Sequence, residues 1–188
     1  MEPSMLSWPE VAPRHGRVML REFEPGDVDM VLDLATDPYV PLIGTLPAHA
    51  DHDQAIAWIE QQRLRLTEGV GFAFAITDRS TDRALGLIGL WLSGWAHGRA
   101  SVGYSVAPRA RGAGVATDAV RALVDFAWTI PELFRLEAYI EPFNTPSQRV
   151  VGRAGFEVEG LLRSHQPIGG VRRDLLLHAL IRPAATSG

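Results

Sequence analysis

The apolar positions of this chain switch repeatedly between a two-residue and a helical rhythm. "VMLREF" (18–23) alternates apolar and polar side chains and predicts a strand. Pro25 to Thr36 predicts a helix, with Pro25 suited to the first turn and Val28, Val31, Leu32 and Leu34 forming a stripe. Asp51 opens a second helix reaching about Glu68, with Ala55, Ile56, Ile59 and Leu66 on one face. "GFAFAITD" (71–78), "ALGLIGLWL" (84–92) and "RASVGYSVA" (99–107) read as three strands, joined by the turn "TDR" (81–83) and the loop "SGWAHG" (93–98). A helix over 113–129, a strand "RLEAYIE" (135–141), a short helix "TPSQRVVGRA" (145–154) and the strands "FEVEGLLR" (156–163) and "VRRDLLLHALI" (171–181) complete the pattern. The order β-α-α-β-β-β-α-β-α-β-β predicts an α/β domain of the α+β kind, with a mixed, mostly antiparallel sheet flanked by helices. No internal repeat interrupts it.

The segments outside this pattern are few. Residues 1–17 are punctuated by prolines and read as a loose N-terminal arm, 18–183 as the domain, and 184–188 as a tail of small residues. Residues 37–50, "DPYVPLIGTLPAHA", form a Pro/Gly-rich loop, long for a compact domain and therefore a candidate for function. With 188 residues, 46% hydrophobic and 21% charged, the chain is long enough for one well-cored domain. A net charge of −4 supplies no basic face of the kind a phosphate-backbone binder needs, so nucleic acid is not expected as a partner. The lack of cysteine excludes a thiolate nucleophile and Cys-ligated metals. No apolar run approaches the ~18 residues of a membrane span, and 1–17 has no signal-peptide core, so a soluble cytoplasmic protein without membrane contact is expected. His49 and His52 flank Asp51 and Asp53, but a helix cap with solvated histidines accounts for them better than a metal, and none is expected.

One stretch carries chemistry: "VAPRARGAGVATDAV", 106–120. Pro108 ends a strand because it has no N–H to give a ladder. The chain then turns into a helix, whose first N–H groups lack internal partners and sit at the positive end of the macrodipole. Gly112 and Gly114 let an anion approach the backbone, Ala113 and Ala116 keep the entrance low, and Arg109 and Arg111 add charge at the rim. A phosphate or pyrophosphate suits this place. The stretch lacks the Lys-Ser/Thr ending of a P-loop and the third glycine of a dinucleotide fingerprint. On its own it is compatible with anion binding or with a plain Gly-rich strand-to-helix turn.

The wider context narrows the choice. "GYSVAPRARGAGVATDAV" (103–120), including Thr117-Asp118-Ala119, resembles the acyl-coenzyme A signature of the GNAT superfamily of N-acetyltransferases, in its RimJ/RimL-like branch that acetylates ribosomal-protein N-termini. "NTPSQRVVGRAGF" (144–156) resembles the second signature of that branch, and the likeness runs from "LREFEPGDVDMV" (20–31) to the last strand. The resemblance implies a sheet splayed between the fourth and fifth strands of the order above. It implies acetyl-CoA as cosubstrate, its pyrophosphate on the N–H groups of Arg111, Gly112, Ala113, Gly114, Val115 and Ala116, with Thr117 close by. Its pantetheine arm would lie along Tyr104, Ser105 and Val106 like an added strand.

Catalytic roles follow by the same resemblance. The N–H near Val106 would hold the thioester oxygen. Asn144 would contact the pantetheine arm, with an Asx-type helix cap as its structural alternative. Ser147 would donate to the departing sulfur, or is simply a first-turn serine; Val151 stands where relatives carry a tyrosine acid. The strand carboxylate of relatives is absent, since this chain reads Ala100-Ser101-Val102-Gly103-Tyr104. Glu141, at a strand end by the presumed cleft, is the named candidate base, with Glu137 and His97 as others. Of the aromatics near the cleft, Trp91 reads as core, and Trp95 is preferred to it as a wall of the acceptor pocket; Tyr39 also flanks the cleft. Arg21 reads as structural. The expected function is transfer of an acetyl group from acetyl-CoA to a primary amine, on a protein N-terminus or a small molecule, by direct attack in a ternary complex. The alternatives are another acyl group such as succinyl, or a silent CoA-binding module. The apolar last strand suits either the sheet interior or a partner chain, and a homodimer is kept as an expectation because dimers are common in that family.

Overall fold

The computed structural model describes residues 6–184. Eight strands form one sheet: β1 (Arg14–His15), β2 (Val18–Arg21), β3 (Gly71–Asp78), β4 (Ala84–Gly94), β5 (Arg99–Val106), β6 (Arg135–Ile140), β7 (Glu157–Ile168) and β8 (Val171–Ile181). Their order across the sheet is β1-β2-β3-β4-β5-β6-β8-β7. All neighbours are antiparallel except β5 and β6, which run parallel and pair only from Arg99–Ser101 to Arg135–Glu137. Beyond that point β5 continues to Val106 against β4, and β6 continues to Ile140 against β8. The sheet is therefore splayed between these two strands, as the sequence led us to expect.

Five helices cover the faces: α1 (Val28–Ala35), α2 (Val40–Ile43), α3 (His52–Leu64), α4 (Val115–Ala127) and α5 (Thr145–Arg153). The alternation in β3 decides which helix goes where. Phe72, Phe74 and Ile76 point into one core with Leu123 and Phe126 of α4. Ala73 and Ala75 face the other side, where their small size leaves room for Phe23, Trp58 and Ile59 under α1 and α3. Asp51 begins α3 with a capping box, accepting from the Gln54 N–H at 2.9 Å while Gln54 accepts from the Asp51 N–H at 3.0 Å. Among the described residues no helix is long and apolar enough to cross a membrane.

Two features depart from the sequence reading. The arm is not loose from Leu6 onward: Trp8 sits edge-on to Phe72 and Phe74, with ring centres 5.7 and 5.0 Å apart, and Arg14–His15 pairs with β2. The cause is a large aromatic within reach of an uncovered patch of core, which a count of prolines does not reveal. Residues 37–50 are not wholly loop, because Asp37 accepts from the N–H groups of Tyr39 (2.7 Å) and Val40 (2.9 Å) and starts the single turn α2.

All 18 basic side chains are arginines, and several act as braces. Arg182 donates to the carbonyls of Trp128, Ile130, Pro131 and Leu133, satisfying the end of α4 and the turn after it. Arg21 bridges β2 to Asp27 through two 2.9 Å bonds and to Asp82 at 3.0 Å, the structural role its sequence position suggested. Asp27 is almost fully buried, so removing its partner strands a charge. We expect Arg21→Met to lower stability by about 3 kcal/mol, read as a shift of the urea midpoint at unchanged slope. A shift under about 0.5 kcal/mol, typical of surface changes, would show that solvent replaces the pair.

Candidate active site

The site grows from the parting of β5 and β6. Ala107 donates to the Leu85 carbonyl, so by antiparallel alternation Ser105 and Gly103 also bond toward β4. The backbone groups of Val102, Tyr104 and Val106 therefore point into the gap, where β6 no longer follows. The Val106 carbonyl there accepts from Arg111 Nε at 2.9 Å, and the Arg111 guanidinium meets Asp37 at 2.7 Å. Burial alone would raise the Asp37 carboxyl, but the Val40 and Tyr39 N–H groups and Arg111 outweigh it and hold it below the usual carboxylate range. Arg109 is tied back as well, its N–H to Asp33 at 3.1 Å, with its side chain in solvent.

The helix start lies just beyond. Gly112 and Gly114 have φ of +81° and +79°, and a Cβ on either would meet nothing within 4 Å. Backbone conformation and open space in front of α4, not crowding from the protein, set these glycines. Gly114 is the N-cap, with no side chain covering the N–H groups of Val115, Ala116 and Thr117. Helix formation begins with Asp118, whose N–H bonds to the Gly114 carbonyl. The Asp118 carboxylate has a separate duty and accepts from the Arg17 N–H in the β1–β2 turn at 3.2 Å.

Across the gap stands α5. Asn144 caps it, its Oδ1 accepting from the Ser147 N–H at 3.2 Å, which leaves its amide N–H groups as donors. The Ser147 hydroxyl is 2.7 Å from the Tyr104 hydroxyl, which is also 3.2 Å from the Ser147 carbonyl. Burial pushes the Tyr104 hydroxyl up to about 12, the Ser147 bond pulling the other way, so it stays protonated through the neutral range. Val151 is fully buried in the core and is replaced at the cleft by Val150. The cleft holds about 440 Å³ and brings together Tyr104, Ser105, Val106, Arg111, Ala116, Asn144 and Ser147 with Tyr39 and Phe143. Arg109, Gly112, Ala113, Gly114, Val115 and Thr117 lie outside that hollow, on the loop and first turn that continue from it.

The acidic candidates sit deeper. Glu141 is 4% exposed; its carboxylate accepts from the Tyr39 hydroxyl at 2.6 Å and lies 3.7 Å from Arg173. Burial pushes the Tyr39 hydroxyl well above its ordinary value, reinforced by Glu141. Burial would raise Glu137, yet bonds from Arg135 (2.7 Å) and Tyr139 (2.8 Å), with Arg99 beside them, hold its carboxyl below the ordinary value. Glu137 is an ion-pair centre. His97 is exposed at the far end of the β4–β5 connection.

A second hollow of about 300 Å³ opens on the other side of β5 and shares Val40, Ile43, Tyr104 and Ser105 with the cleft. Its wall is Trp91, not Trp95: Trp95 packs on the first core and does not line the hollow. Gly89 and Gly103 face each other across β4 and β5, and the Trp91 indole lies over both, so a side chain on Gly89 would collide with it. That facing glycine pair was the available sequence signal. Two larger hollows, about 760 and 680 Å³, lie against α1 and under the N-terminal arm, and neither includes Tyr104 or Ser147.

A strand edge exposed by a splay, continuing into a bare helix start, is the layout that the acyltransferase resemblance implied. Comparison with known proteins agrees. A model of the acetyltransferase (GNAT) domain matches residues 17–157. An uncharacterized N-acetyltransferase, p20 of Bacillus licheniformis, is 32% identical over 166 residues, covering 88% of this chain and 93% of that protein. A ribosomal protein uS5-alanine N-acetyltransferase of Escherichia coli is 32% identical over 87 residues, 46% of this chain and 45% of that one. Among solved structures, RimJ of Mycobacterium smegmatis in complex with a CoA disulfide superposes with a TM-score of 0.78 at 28% identity, covering 93% of this chain and 88% of that chain. The chain belongs to the GNAT family of acetyltransferases, and is an N-acetyltransferase with RimJ/RimL-like relatives.

The helix start yields a test. Gly114→Ala forces a left-handed alanine, which should cost about 1–2 kcal/mol and show in a thermal melt. Gly112→Asp/Gly114→Asp should keep the fold yet abolish calorimetric binding of a CoA thioester. Retained binding by the folded double variant would move the anion site elsewhere.

Proposed function

We propose that the donor is acetyl-CoA and the acceptor a primary amine, on a protein N-terminus or a small molecule, joined by direct attack in a ternary complex. The observation carrying this reading is the Tyr104–Ser147 hydroxyl pair, 2.7 Å apart, set where the open edge of β5 passes between the two hollows. The neighbours solved with CoA, such as the Mycobacterium smegmatis RimJ, support the choice of donor. The backbone supports it too: bare N–H groups from Gly112 to Ala116, with Thr117 beside them and the Arg111 N–H turned back to the Pro108 carbonyl, suit a pyrophosphate. The edge groups of Tyr104 and Val106, with Ser105 between them and the Asn144 amide opposite, suit the peptide-like pantetheine arm.

The roles then follow. The amine enters from the Trp91 side and forms a C–N bond at the thioester carbonyl. The Val106 N–H, facing the gap, stabilises the oxyanion. The C–S bond breaks, and the sulfur takes a proton from Ser147, which draws on Tyr104. Tyr104 is restored by the proton that the nitrogen sheds in becoming an amide. Before attack the ammonium loses a proton to Glu141 by way of the Tyr39 hydroxyl, because the carboxylate itself is enclosed.

Ser147→Ala and Tyr104→Phe should each lower kcat by roughly 100-fold, the lower end of what a positioned acid contributes, with acetyl-CoA affinity unchanged. Thiol release and calorimetry measure the two. Tyr104 should draw no alkaline limb in the kcat profile below about pH 12, since it holds its proton until there. Wild-type kcat in both variants would remove the pair from the mechanism.

A further inference from the structure

The hollow beyond Trp91 has an unusual electrostatic make-up. Leu34, Leu46 and Leu87 give it apolar walls, and no Asp or Glu lines it. Its one charged group is Arg65, at the end of α3, whose guanidinium lies over the Trp91 ring at 5.9 Å. Its backbone is fixed, because its carbonyl accepts from both Val70 (2.9 Å) and Gly71 (3.2 Å). Its Nε is buried and has no hydrogen-bond partner. The arginines beside the cleft differ: Arg109, Arg111 and Arg173 each face a carboxylate, from Asp33, Asp37 and Glu141. Among the described residues no carboxylate pairs with Arg65.

A guanidinium held by an aromatic face, with a buried unsatisfied donor at an apolar hollow, is arranged to receive an anion. A carboxylate or phosphate in the hollow would give this guanidinium, which no carboxylate of the described residues pairs, a charge-assisted partner. A polycation would meet the wrong sign there, with no acid to offset it. A volume of about 300 Å³ is at the small end for ligand pockets and suits a compact molecule. We propose that the acceptor is a small primary amine that also carries an anionic group, carboxylate or phosphate, and that Arg65 on Trp91 selects for it. The inference rests on the amine-acetylation reading above and names the class of acceptor.

The test uses amines matched except for the anion: phenylalanine against 2-phenylethylamine, and O-phosphoethanolamine against ethanolamine. Thiol release from acetyl-CoA is followed for the wild type, Arg65→Met and Arg65→Lys, with acetyl-CoA binding checked by calorimetry in each. The expected result is a kcat/KM preference of about 10-fold or more for the anionic member of at least one pair. The pair that responds tells carboxylate from phosphate. Arg65→Met should level that preference through KM, leaving the neutral amine unaffected, and Arg65→Lys should restore part of it. If the variants bind acetyl-CoA but lose activity equally on both members, Arg65 only braces Trp91 and the proposal fails. Equal use of both members by the wild type, or use of neither despite acetyl-CoA binding, also overturns it. So does a preference that appears only with succinyl-CoA as donor, since the anion would then belong to the acyl group. Absence of acetyl-CoA binding would instead overturn the donor reading itself.

Discussion

The molecule is organised by one interruption: β5 and β6 stop pairing after three residues although both strands continue. A parallel pair left open inside a sheet exposes backbone groups that need other partners. The protein supplies some of them itself. Arg111 reaches back to the Val106 carbonyl, while the Tyr104 side chain bridges the gap to Ser147 on α5. These contacts hold the gap at a set width, and the glycine-opened start of α4 lies at its end. The remaining edge is available to a ligand that can behave like a strand.

The far side of the gap is held by side chains distant in sequence. Asp37 links the start of α2 to Arg111, while Tyr39 links it to Glu141 and so to Arg173 on β8. The β7–β8 hairpin closes the arrangement, since a side chain on Gly169 at its tip would touch Leu42 of α2. α2 is thus positioned by the loop before it, the strand beside the gap and the last hairpin together. Movement of any one would alter the boundary between the two hollows.

Much of this could be read from the sequence where the information is local. Alternation in 71–78 and 99–107 gave strands, the stripes gave helices, and the glycines of 112–114 marked the helix start. Asn144, as the cap, and Ser147, in the first turn of α5, both line the cleft. What was missed depends on distance. α2 is one turn containing a proline, and only the Asp37 side chain makes it regular. The Tyr104 hydroxyl acquires a partner 43 residues away, and Glu141 is enclosed by a tyrosine 102 residues before it. Trp91 and Trp95 look alike in a linear reading. The glycine pair opposite Trp91 separates them, but only once the register of β4 and β5 is known. Val151 matched a catalytic position by alignment of motifs, yet the helical phase of α5 turns it into the core.

The all-arginine complement of basic residues has a chemical consequence for a catalyst that modifies amines. Guanidinium groups hold carbonyls and carboxylates in this fold, and they are too weakly nucleophilic to compete for a thioester at neutral pH. No side chain of the chain offers an ε-amine. The protein's own side chains therefore offer no lysine to the reaction it performs, however high the local level of activated acyl groups. Acyl label found on one of its side chains would mark chemistry other than lysine acetylation.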